Sequence, residues 1–443
     1  MTKRLIIIPV EIKHREFLAK FALALSLIKN TDVIIGNQKT IINNFHLLPP
    51  SVYFDKSIAS TKYSYFKRLK NLGIKIVCSC EEGLVYRNTN AYLSQRISKN
   101  TFSLIQKFFL WGSNQYYDVK KILLPQKKLI MAGNPRIDIL DQSYKFIWVK
   151  ESTAIRKLYK NFILINTNFS IANNYNSAVS LKRKLKKRGT LKSELIDATY
   201  YDEWIKYTEK IFEHFISMIK YLSVKNPNIN ILVRPHINEN LRKWKKLLKG
   251  YKNVFITNDD SVVPYILASK CVIHNSCTTS IESYYLGKNV ITYKPLINDN
   301  FDSKLPNLLG KSAFTVKDVD NFVKLSLQNK KFFVSQKSKK ILSEYIHSEE
   351  SIKIITNELS KIKIDKNGIK VKAYKLIYSV IANIKKFKNL LIGDKKIKKL
   401  QANKFDKLDI NEIKDLLRLY KNNNVVVKKF SNLNDVFLIH NND

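Results

Sequence analysis

The chain of 443 residues has little cysteine, glycine and proline: 4, 11 and 10 residues respectively. Four cysteines are too few for a disulfide-stapled scaffold, and the spacing Cys78-x-Cys80 is not that of a zinc site. We therefore expect reduced thiols in a cytosolic protein. No stretch reaches the roughly 18 consecutive apolar residues of a membrane span. The short apolar run LIIIPV near the N-terminus predicts a first strand rather than a signal peptide.

Acidic residues are also scarce, with 36 Asp and Glu against 78 Lys and Arg, a formal net charge of +42. Lys, Asn and Ile are abundant together, which is typical of an AT-rich genome. Part of the positive charge is therefore explained by codon usage and lies on solvated surfaces. The rest favours an anionic neighbour such as membrane lipid, nucleic acid, or a sugar nucleotide with an acidic acceptor. Nucleic-acid binding is the weakest of these, because the basic excess is diffuse and not interleaved with aromatic residues on a defined motif.

Short apolar runs alternate with helical periodicity through most of the chain, which predicts parallel sheets covered by helices on both faces. The fold class we expect is α/β, with two Rossmann-like doubly wound domains and a basic helical C-terminal extension. The expected boundaries are 1–145 for the first domain, 160–350 for the second and 351–443 for the extension. GxGxxG is absent from the opening βαβ unit, so a standard dinucleotide-binding turn is not supported.

The C-terminal extension is the most basic part, with 20 Lys and Arg against 8 Asp and Glu in residues 361–443. Within it, Val371–Ile392 places seven apolar residues on one helical stripe flanked by lysines at 372, 375, 385, 386 and 388. Two interpretations stay open. The helix packs on the body of the protein, or it lies on an anionic membrane surface.

Polar residues follow three predicted strands of the second domain. INILV ends in Arg234-Pro235-His236, FILIN precedes Asn168, and CVI ends in a polar segment that enters a helix. Parallel strands deliver such residues to the ligand crevice at their carboxyl ends. The segment after CVI supplies Asn275, Ser276, Thr278, Thr279 and, one turn into the helix, Glu282.

This pattern suits a phosphate-bearing donor, which we expect to be a nucleotide. Arg234, His236 and the helix start can stabilise a departing phosphate, and a protonated His236 can donate a proton to it. Glu282 can hold a ribose hydroxyl, although an ordinary first-turn acid fits the same position. His274 is read as a strand-end histidine with satisfied hydrogen bonds.

In the first domain, Glu81 and Glu82 follow the strand IKIV and precede Gly83. Adjacent carboxylates at a strand end suit a general base or a nucleophile, and a loop with two solvated acids fits equally well. The segment Gly133–Asp138 (GNPRID) is read as a plain Asn-Pro turn with a surface arginine.

Six segments carry a resemblance to a known family: IIIPVEIKHRE, CEEGLVY, GNPRIDIL, FILINTNF, RPHINE and HNSCTTSIESYYLGKNVITY. Together they resemble segments of bacterial surface-carbohydrate (capsule and lipopolysaccharide) biosynthesis proteins. More distantly, the chain is similar to GT-B glycosyltransferases that use CMP-activated sialic acid, pseudaminic acid or Kdo. The resemblance implies Glu82 as the catalytic acid/base, with Thr278, Thr279 and Ser276 as the hydroxyls that bind CMP. The family's His-Pro motif appears here in reverse order, as Pro235-His236.

The function we predict is metal-independent glycosyl transfer of an acidic sugar from a CMP-sugar to a growing surface glycan. The alternative is a CDP-glycerol or CDP-ribitol phosphotransferase of the teichoic-acid type, for which His14 and His46 are candidate bases. No cofactor is expected. The expected partners are the nucleotide-sugar donor, an anionic glycan or lipid-linked acceptor and an anionic membrane. The expected location is the cytoplasm, at the inner face of the membrane.

Overall fold

In a computed structural model, the chain forms two compact units. The first comprises Met1–Leu84, Tyr92–Ile139 and Ser343–Asp443, and the second comprises Val85–Ala91 and Leu140–Leu342. The C-terminal residues from Ser343 onwards, which include the extension expected over 351–443, thus belong to the first unit. The structure describes residues 4–86, 88–175, 182–183, 198–259, 261–364, 369–391 and 405–442.

The first unit is built on an eight-stranded sheet whose strand order is β13-β14-β2-β1-β3-β4-β5-β6. The six strands β1 to β6 pair in parallel, and their β-branched and aromatic residues are buried on both sides. The strands are β1 Arg4–Val10, β2 Thr31–Asn37, β3 Val52–Asp55, β4 Lys75–Ser79, β5 Lys107–Leu110, β6 Leu129–Met131, β13 Val425–Lys429 and β14 Val436–Asn441.

The last two strands form an antiparallel hairpin, and β14 adds to the sheet antiparallel to β2. The extension was expected to be helical, and this hairpin was missed. Gly36 permits the pairing, because a Cβ on this residue would lie 2.1 Å from the Asp435 carbonyl oxygen. The α-helices whose residues lie wholly in the first unit are Lys13–Leu27, Gln38–Asn43, Tyr63–Asn71, Lys99–Ser103, Ser113–Lys120, Pro135–Asp138, Ser351–Ser360, Ile369–Leu391 and Ile410–Leu419.

The second unit is built on a six-stranded, all-parallel sheet with the order β12-β11-β10-β7-β8-β9. Its strands are β7 Phe162–Asn166, β8 Asn230–Arg234, β9 Val254–Ile256, β10 Cys271–His274, β11 Asn289–Tyr293 and β12 Lys311–Ala313. Its α-helices are Val149–Tyr159, Ala198–Lys225, Leu241–Leu247, Val262–Ala268, Thr279–Tyr285, Lys304–Leu308 and Val316–Leu327. Two further helices, Thr89–Arg96 and Gln336–Tyr345, cross from one unit to the other, and short 3-10 helices cover Phe45–Leu47, Ser60–Lys62, Gln126–Lys128 and Gln142–Trp148.

The long helix Ala198–Lys225 covers one face of this second sheet. Its residues Ile211, Phe215, Ile219 and Leu222 repeat every three or four positions and are buried in one cluster with the strands. Among the described residues, no helix has the length and apolar character needed to cross a membrane.

Candidate functional site

Three neighbouring strand ends meet where the order of the second sheet reverses. From β7 the chain continues to β8 and β9 on one side, and it then crosses to β10, β11 and β12 on the other. His274, Asn166 and Arg234 pair in one row across β10, β7 and β8, so the residues that follow them lie side by side. This is the switch point at which doubly wound sheets bind ligands.

A buried carboxylate, Glu239, holds two of these strand ends together. Its Oε1 accepts hydrogen bonds from Thr167 Oγ1 (2.8 Å), the Phe169 amide (3.0 Å) and the His236 amide (3.0 Å). Its Oε2 accepts one from Trp244 Nε1 (2.9 Å). Burial raises the pKa of Glu239, and the four donors oppose that shift by stabilising the ionised form.

The sequence interpretation assigned no role to Glu239, although the residue lies within the RPHINE segment. The signal in the sequence that could have indicated Glu239 is an acidic residue three positions after a strand-end histidine. Its burial, 2% exposed, depends on tertiary contacts that the local sequence does not encode.

His236 follows β8 and is exposed. Its Nδ1 accepts a hydrogen bond from the Asn238 amide at 3.2 Å. The neutral ring therefore carries its proton on Nε2, and this nitrogen is the one suited to donate to a ligand.

Arg234, one of the expected phosphate ligands, is largely buried. Its guanidinium donates to the Asp259 carbonyl oxygen and stacks on Tyr265, with Cζ 4.6 Å from the ring centroid. These contacts direct the Arg234 side chain towards the loop after β9 and helix Val262–Ala268.

Asn275 and Ser276 are buried and make specific contacts. Asn275 Nδ2 donates to the Tyr293 carbonyl oxygen (2.9 Å). Ser276 has a φ of 49°, its amide donates to Asn307 Oδ1 (2.8 Å), and its hydroxyl accepts from the Ser303 amide and Asn307 Nδ2 (both 3.1 Å). Both residues thus shape the turn after β10.

Thr278 and Asn168, like His236, are exposed on this edge. Asn168 Nδ2 reaches the Ser276 carbonyl oxygen at 3.5 Å, which links the ends of β7 and β10. Thr279 and Glu282 are half-buried, and Thr279 Oγ1 contacts Cys277 Sγ at 3.1 Å. The residues available to a ligand here are thus Asn168, His236 and Thr278.

His274 is fully buried with both ring nitrogens bonded, as expected for a strand-end histidine. Nε2 lies 3.0 Å from Thr292 Oγ1, and Nδ1 accepts from the Cys277 amide at 3.4 Å. Burial lowers the pKa of His274 to about 3, so the ring is neutral at physiological pH.

In the first unit, Glu81 and Glu82 follow β4 at the carboxyl edge of the sheet and differ in exposure. Glu82 is exposed, whereas Glu81 is buried with its Oε2 3.7 Å from Arg136 Nη1. That oxygen has no hydrogen-bond partner among the residues described. Of the two carboxylates, Glu82 is the one that solvent reaches.

A buried hydrogen-bond network supports this turn. Gln115 Nε2 donates to the Tyr92 hydroxyl (2.6 Å), and Gln115 Oε1 accepts from the Trp111 amide (2.8 Å). The Tyr92 hydroxyl is also 3.1 Å from Cys80 Sγ. A Cβ on Gly83 would lie 1.9 Å from Gln115 Nε2, so a larger residue next to Glu82 would have to displace the Gln115 side chain from this network.

The GNPRID segment contacts the C-terminal part of the same unit, and Arg136 is not the free surface arginine that the sequence suggested. Asn134 Oδ1 caps the short helix by accepting from the Arg136 amide (3.0 Å). Asp138 Oδ2 accepts from the Ile352 amide (2.6 Å), at the start of helix Ser351–Ser360. Burial raises the pKa of Asp138.

The two histidines of the phosphotransferase alternative lie in different places. His14 is in the first turn after β1, 3.8 Å from Asp406 Oδ1. His46 precedes the start of β3, at the opposite end of that strand from the carboxyl edge, and burial lowers its pKa. His14 is therefore the better placed of the two.

The same edge of the first sheet contains a buried ion cluster that the sequence interpretation missed. Glu16 Oε2 and Oε1 accept from Lys20 Nζ (2.8 Å) and Lys56 Nζ (2.7 Å), and Lys56 also pairs with Glu11 (2.9 Å). The two lysines hold the pKa of Glu16 far below its usual range despite burial. The cluster ties β1 to the loop after β3.

No group of three or more His, Cys, Asp and Glu side chains with metal-site geometry occurs in the described part of the chain. The chain contains one Asp-x-Asp, Asp318-Val319-Asp320, in helix Val316–Leu327. Asp318 forms a capping box with Thr315, and Asp320 accepts from Asn226. All four cysteines are free and buried.

Comparison with solved structures identifies proteins with the same architecture. A UDP-N-acetylglucosamine 2-epimerase superposes with a TM-score of 0.51 at 12% identity, over 83% of this chain and 99% of that one. The UDP-GlcNAc 2-epimerase of Methanocaldococcus jannaschii gives 0.50 at 13% identity, over 81% and 99%. The chain has the GT-B fold.

This result confirms the predicted fold class of two Rossmann-like domains. The wall teichoic acid polymerase TagF is also similar, with a TM-score of 0.47 at 12% identity over 84% of this chain and 89% of that one. No protein-family model matches the chain, and no curated protein matches it.

Proposed function

We propose that the chain is a GT-B enzyme that transfers an acidic sugar, a nonulosonic acid or Kdo, from a CMP-sugar to a growing surface glycan. The observation that carries the proposal is the meeting of three strand ends at the switch point of the second sheet, with Asn168, His236 and Thr278 exposed there. The donor nucleotide would bind at this edge.

His236 is the residue that would act on the leaving group. Because Asn238 fixes Nδ1 as an acceptor, Nε2–H would donate to a phosphate oxygen of the donor. Glu239 holds the His236 amide and so fixes the position of the loop. In the proposed reaction the bond between the anomeric carbon and the phosphate oxygen breaks, and CMP leaves with the electron pair as a phosphate anion, which the hydrogen bond from His236 Nε2–H stabilises.

Glu82 would accept the proton of the acceptor hydroxyl as the bond between that oxygen and the anomeric carbon forms. Its exposure at the carboxyl edge of the first sheet supports this assignment over Glu81, which is buried beside Arg136. Glu81 would then act as a positioning residue. Gly83 and the Gln115 network keep the turn in one conformation.

An equilibrium binding panel of CMP, CDP, UDP and GDP tests the donor assignment, with thermal shift as a second readout. A ligand that binds only the folded state raises the unfolding midpoint. We expect CMP to bind best and His236→Ala to weaken it about tenfold, the loss of one charge-assisted hydrogen bond worth about 1.4 kcal/mol. His214→Ala, an exposed histidine of the same unit, is the matched control.

The other outcomes are informative. A preference for CDP would favour the teichoic-acid-type phosphotransferase, with His14 as base. A preference for UDP would overturn the CMP-sugar assignment and lead to a test of UDP-sugar epimerisation, the activity named for the two GT-B structures above. If no nucleotide binds, the proposed enzyme function is wrong.

We further propose that helix Ile369–Leu391 contacts an anionic membrane surface, where a lipid-linked acceptor would be met. Its inner side packs on the first unit through Tyr378, whose ring lies 5.0 Å from Phe45 and whose hydroxyl accepts from Asn71 Nδ2 at 3.1 Å. The opposite side exposes an apolar stripe, Leu376, Ile377, Val380, Ile381 and Ile384, with fractional exposures of 41 to 71%.

Lys372 borders the stripe and is exposed, which suits an acidic bilayer. The side chains of Lys385, Lys386 and Lys388, also expected beside it, lie outside the described residues, as does Ile392.

Sedimentation with phosphatidylglycerol vesicles, compared with phosphatidylcholine, tests the contact. We expect Ile377→Asp/Ile381→Asp to abolish binding, and Val224→Asp/Leu419→Asp, which changes two exposed apolar residues elsewhere, to retain it. Equal binding by both variants would contradict the proposal.

A further inference from the structure

The amino-terminal edge of the second sheet carries a basic cavity that none of the preceding chemistry uses. Its volume is about 720 Å³, and a smaller cavity of about 260 Å³ adjoins it and shares Arg156, Lys288 and Lys331. Ser269, Lys270 and Asn289 line the smaller cavity at the starts of β10 and β11. The cavities therefore lie at the end of the sheet opposite to the candidate donor site.

Five cations converge here: Lys145, Arg156, Lys270, Lys288 and Lys331. Among the described residues, no Asp or Glu lines either cavity. No carboxylate of the described residues lies within salt-bridge distance of any of the five, in contrast with the paired lysines of the first unit. These like charges repel one another, and a bound anion would reduce that repulsion.

Lys288 is the most constrained of the five. Its Nζ donates to the Leu267 (2.8 Å) and Ser269 (3.0 Å) carbonyl oxygens, which leaves one of its three N–H groups for a ligand. Burial and, after it, the neighbouring cations, Arg156 foremost, together lower the pKa of Lys288 to about 8. A bound anion would offset the repulsion from these cations.

A buried asparagine fixes the segment that carries Lys331. Asn289 Nδ2 donates to the Lys330 carbonyl oxygen (2.7 Å), and Asn289 Oδ1 accepts from the Phe332 amide (3.0 Å). Lys331 Nζ donates to the Gly287 carbonyl oxygen (3.1 Å). The two sequence neighbours of Lys331, Lys330 and Phe332, both bond to Asn289, and this holds Lys331 at the cavity.

We propose that this cavity is a binding site for a multiply charged phosphate group, distinct from the donor site. A single carboxylate would leave most of the positive charge uncompensated, whereas a diphosphate or a phosphate monoester meets several cations at once. The rim adds Val149 (57% exposed) and Phe333 (92% exposed), which suit a ligand whose phosphate carries an apolar part. Such a phosphate can come from a soluble molecule or from a lipid headgroup.

Binding of pyrophosphate, measured by titration calorimetry on the full chain, tests the site in solution. We expect Arg156→Gln/Lys331→Gln to weaken it about tenfold. Lys245→Gln/Lys246→Gln removes the same charge from exposed residues of the same unit and should leave it unchanged. Vesicles of phosphatidylcholine with phosphatidic acid form the second arm, with the same variants made in the Ile377→Asp/Ile381→Asp background, which removes the proposed membrane contact of helix Ile369–Leu391.

If Arg156→Gln/Lys331→Gln, the cavity variant, loses pyrophosphate binding and the control variant does not, the ligand is a soluble phosphate. If the cavity variant loses vesicle binding and the control variant does not, the ligand is a lipid headgroup. The proposal is overturned if neither probe binds, or if the two variants bind alike. Nucleotide binding at the carboxyl edge should be unaffected by the cavity variant, so failure here is distinguishable from failure of the proposed function.

Discussion

Replacing Glu239 by glutamine tests whether this buried carboxylate organises the candidate donor site. Glutamine can keep the three bonds that Oε1 accepts, but it then places its NH2 group against Trp244 Nε1, 2.9 Å away. Two buried donors would face each other without acceptors. At about 2 kcal/mol for each orphaned donor, we expect a loss of about 4 kcal/mol in the stability of this region.

Hydrogen exchange measured by mass spectrometry reports the loss locally, because the Phe169 and His236 amides themselves donate to Glu239. We expect faster exchange in peptides covering 162–172 and 230–240, with β11 unchanged. Glu209→Gln, an exposed acid on helix Ala198–Lys225, is the control. Wild-type protection in both peptides of Glu239→Gln would refute the reasoning.

A double-mutant cycle with Trp244→Phe identifies the cause. The phenylalanine removes the clashing donor, so Glu239→Gln should cost about 2 kcal/mol less in that background. Additive effects would show that the donor pair is not the source of the loss.

Other predictions concern the two units separately. Glu82→Gln should abolish transfer while nucleotide affinity and the unfolding midpoint stay at wild-type values, whereas Glu81→Gln should retain part of the activity; near-normal turnover in Glu82→Gln would remove it from the reaction. Gly83→Ala should lower the unfolding midpoint, because its Cβ would collide with Gln115, and an unchanged midpoint would show that the turn can move. His274 has a pKa of about 3 when folded and binds a proton near 6.5 when unfolded, so its contribution to stability is present above pH 6.5 and declines as the pH falls towards 3, by up to about 1.4 kcal/mol per pH unit. His274→Asn should flatten the pH dependence of urea unfolding in this window, and an unaltered slope would contradict the assignment.

The sequence alone determined which segments are strands and helices over most of the chain. The runs predicted as strands, LIIIPV, IKIV, FILIN, INILV and CVI, coincide or overlap with the strands Arg4–Val10, Lys75–Ser79, Phe162–Asn166, Asn230–Arg234 and Cys271–His274, and the helical stripe predicted in Val371–Ile392 overlaps helix Ile369–Leu391. These elements are set by local patterns: β-branched runs buried on both faces of a parallel sheet, and apolar residues repeating at helical spacing. The strand-end positions of Asn168, His236 and Glu82 followed from the same patterns.

Only the tertiary structure decided which of those residues a ligand can reach. Arg234 and Ser276 occupy strand ends as predicted, yet their side chains bond to Asp259, Ser303 and Asn307 in neighbouring loops. Glu239 gained its role in the same way, from donors on two strand ends and a helix. The pairing of β14 with β2 joins residues about 400 positions apart. Such contacts depend on strand order and long-range packing, which no local period in the sequence encodes.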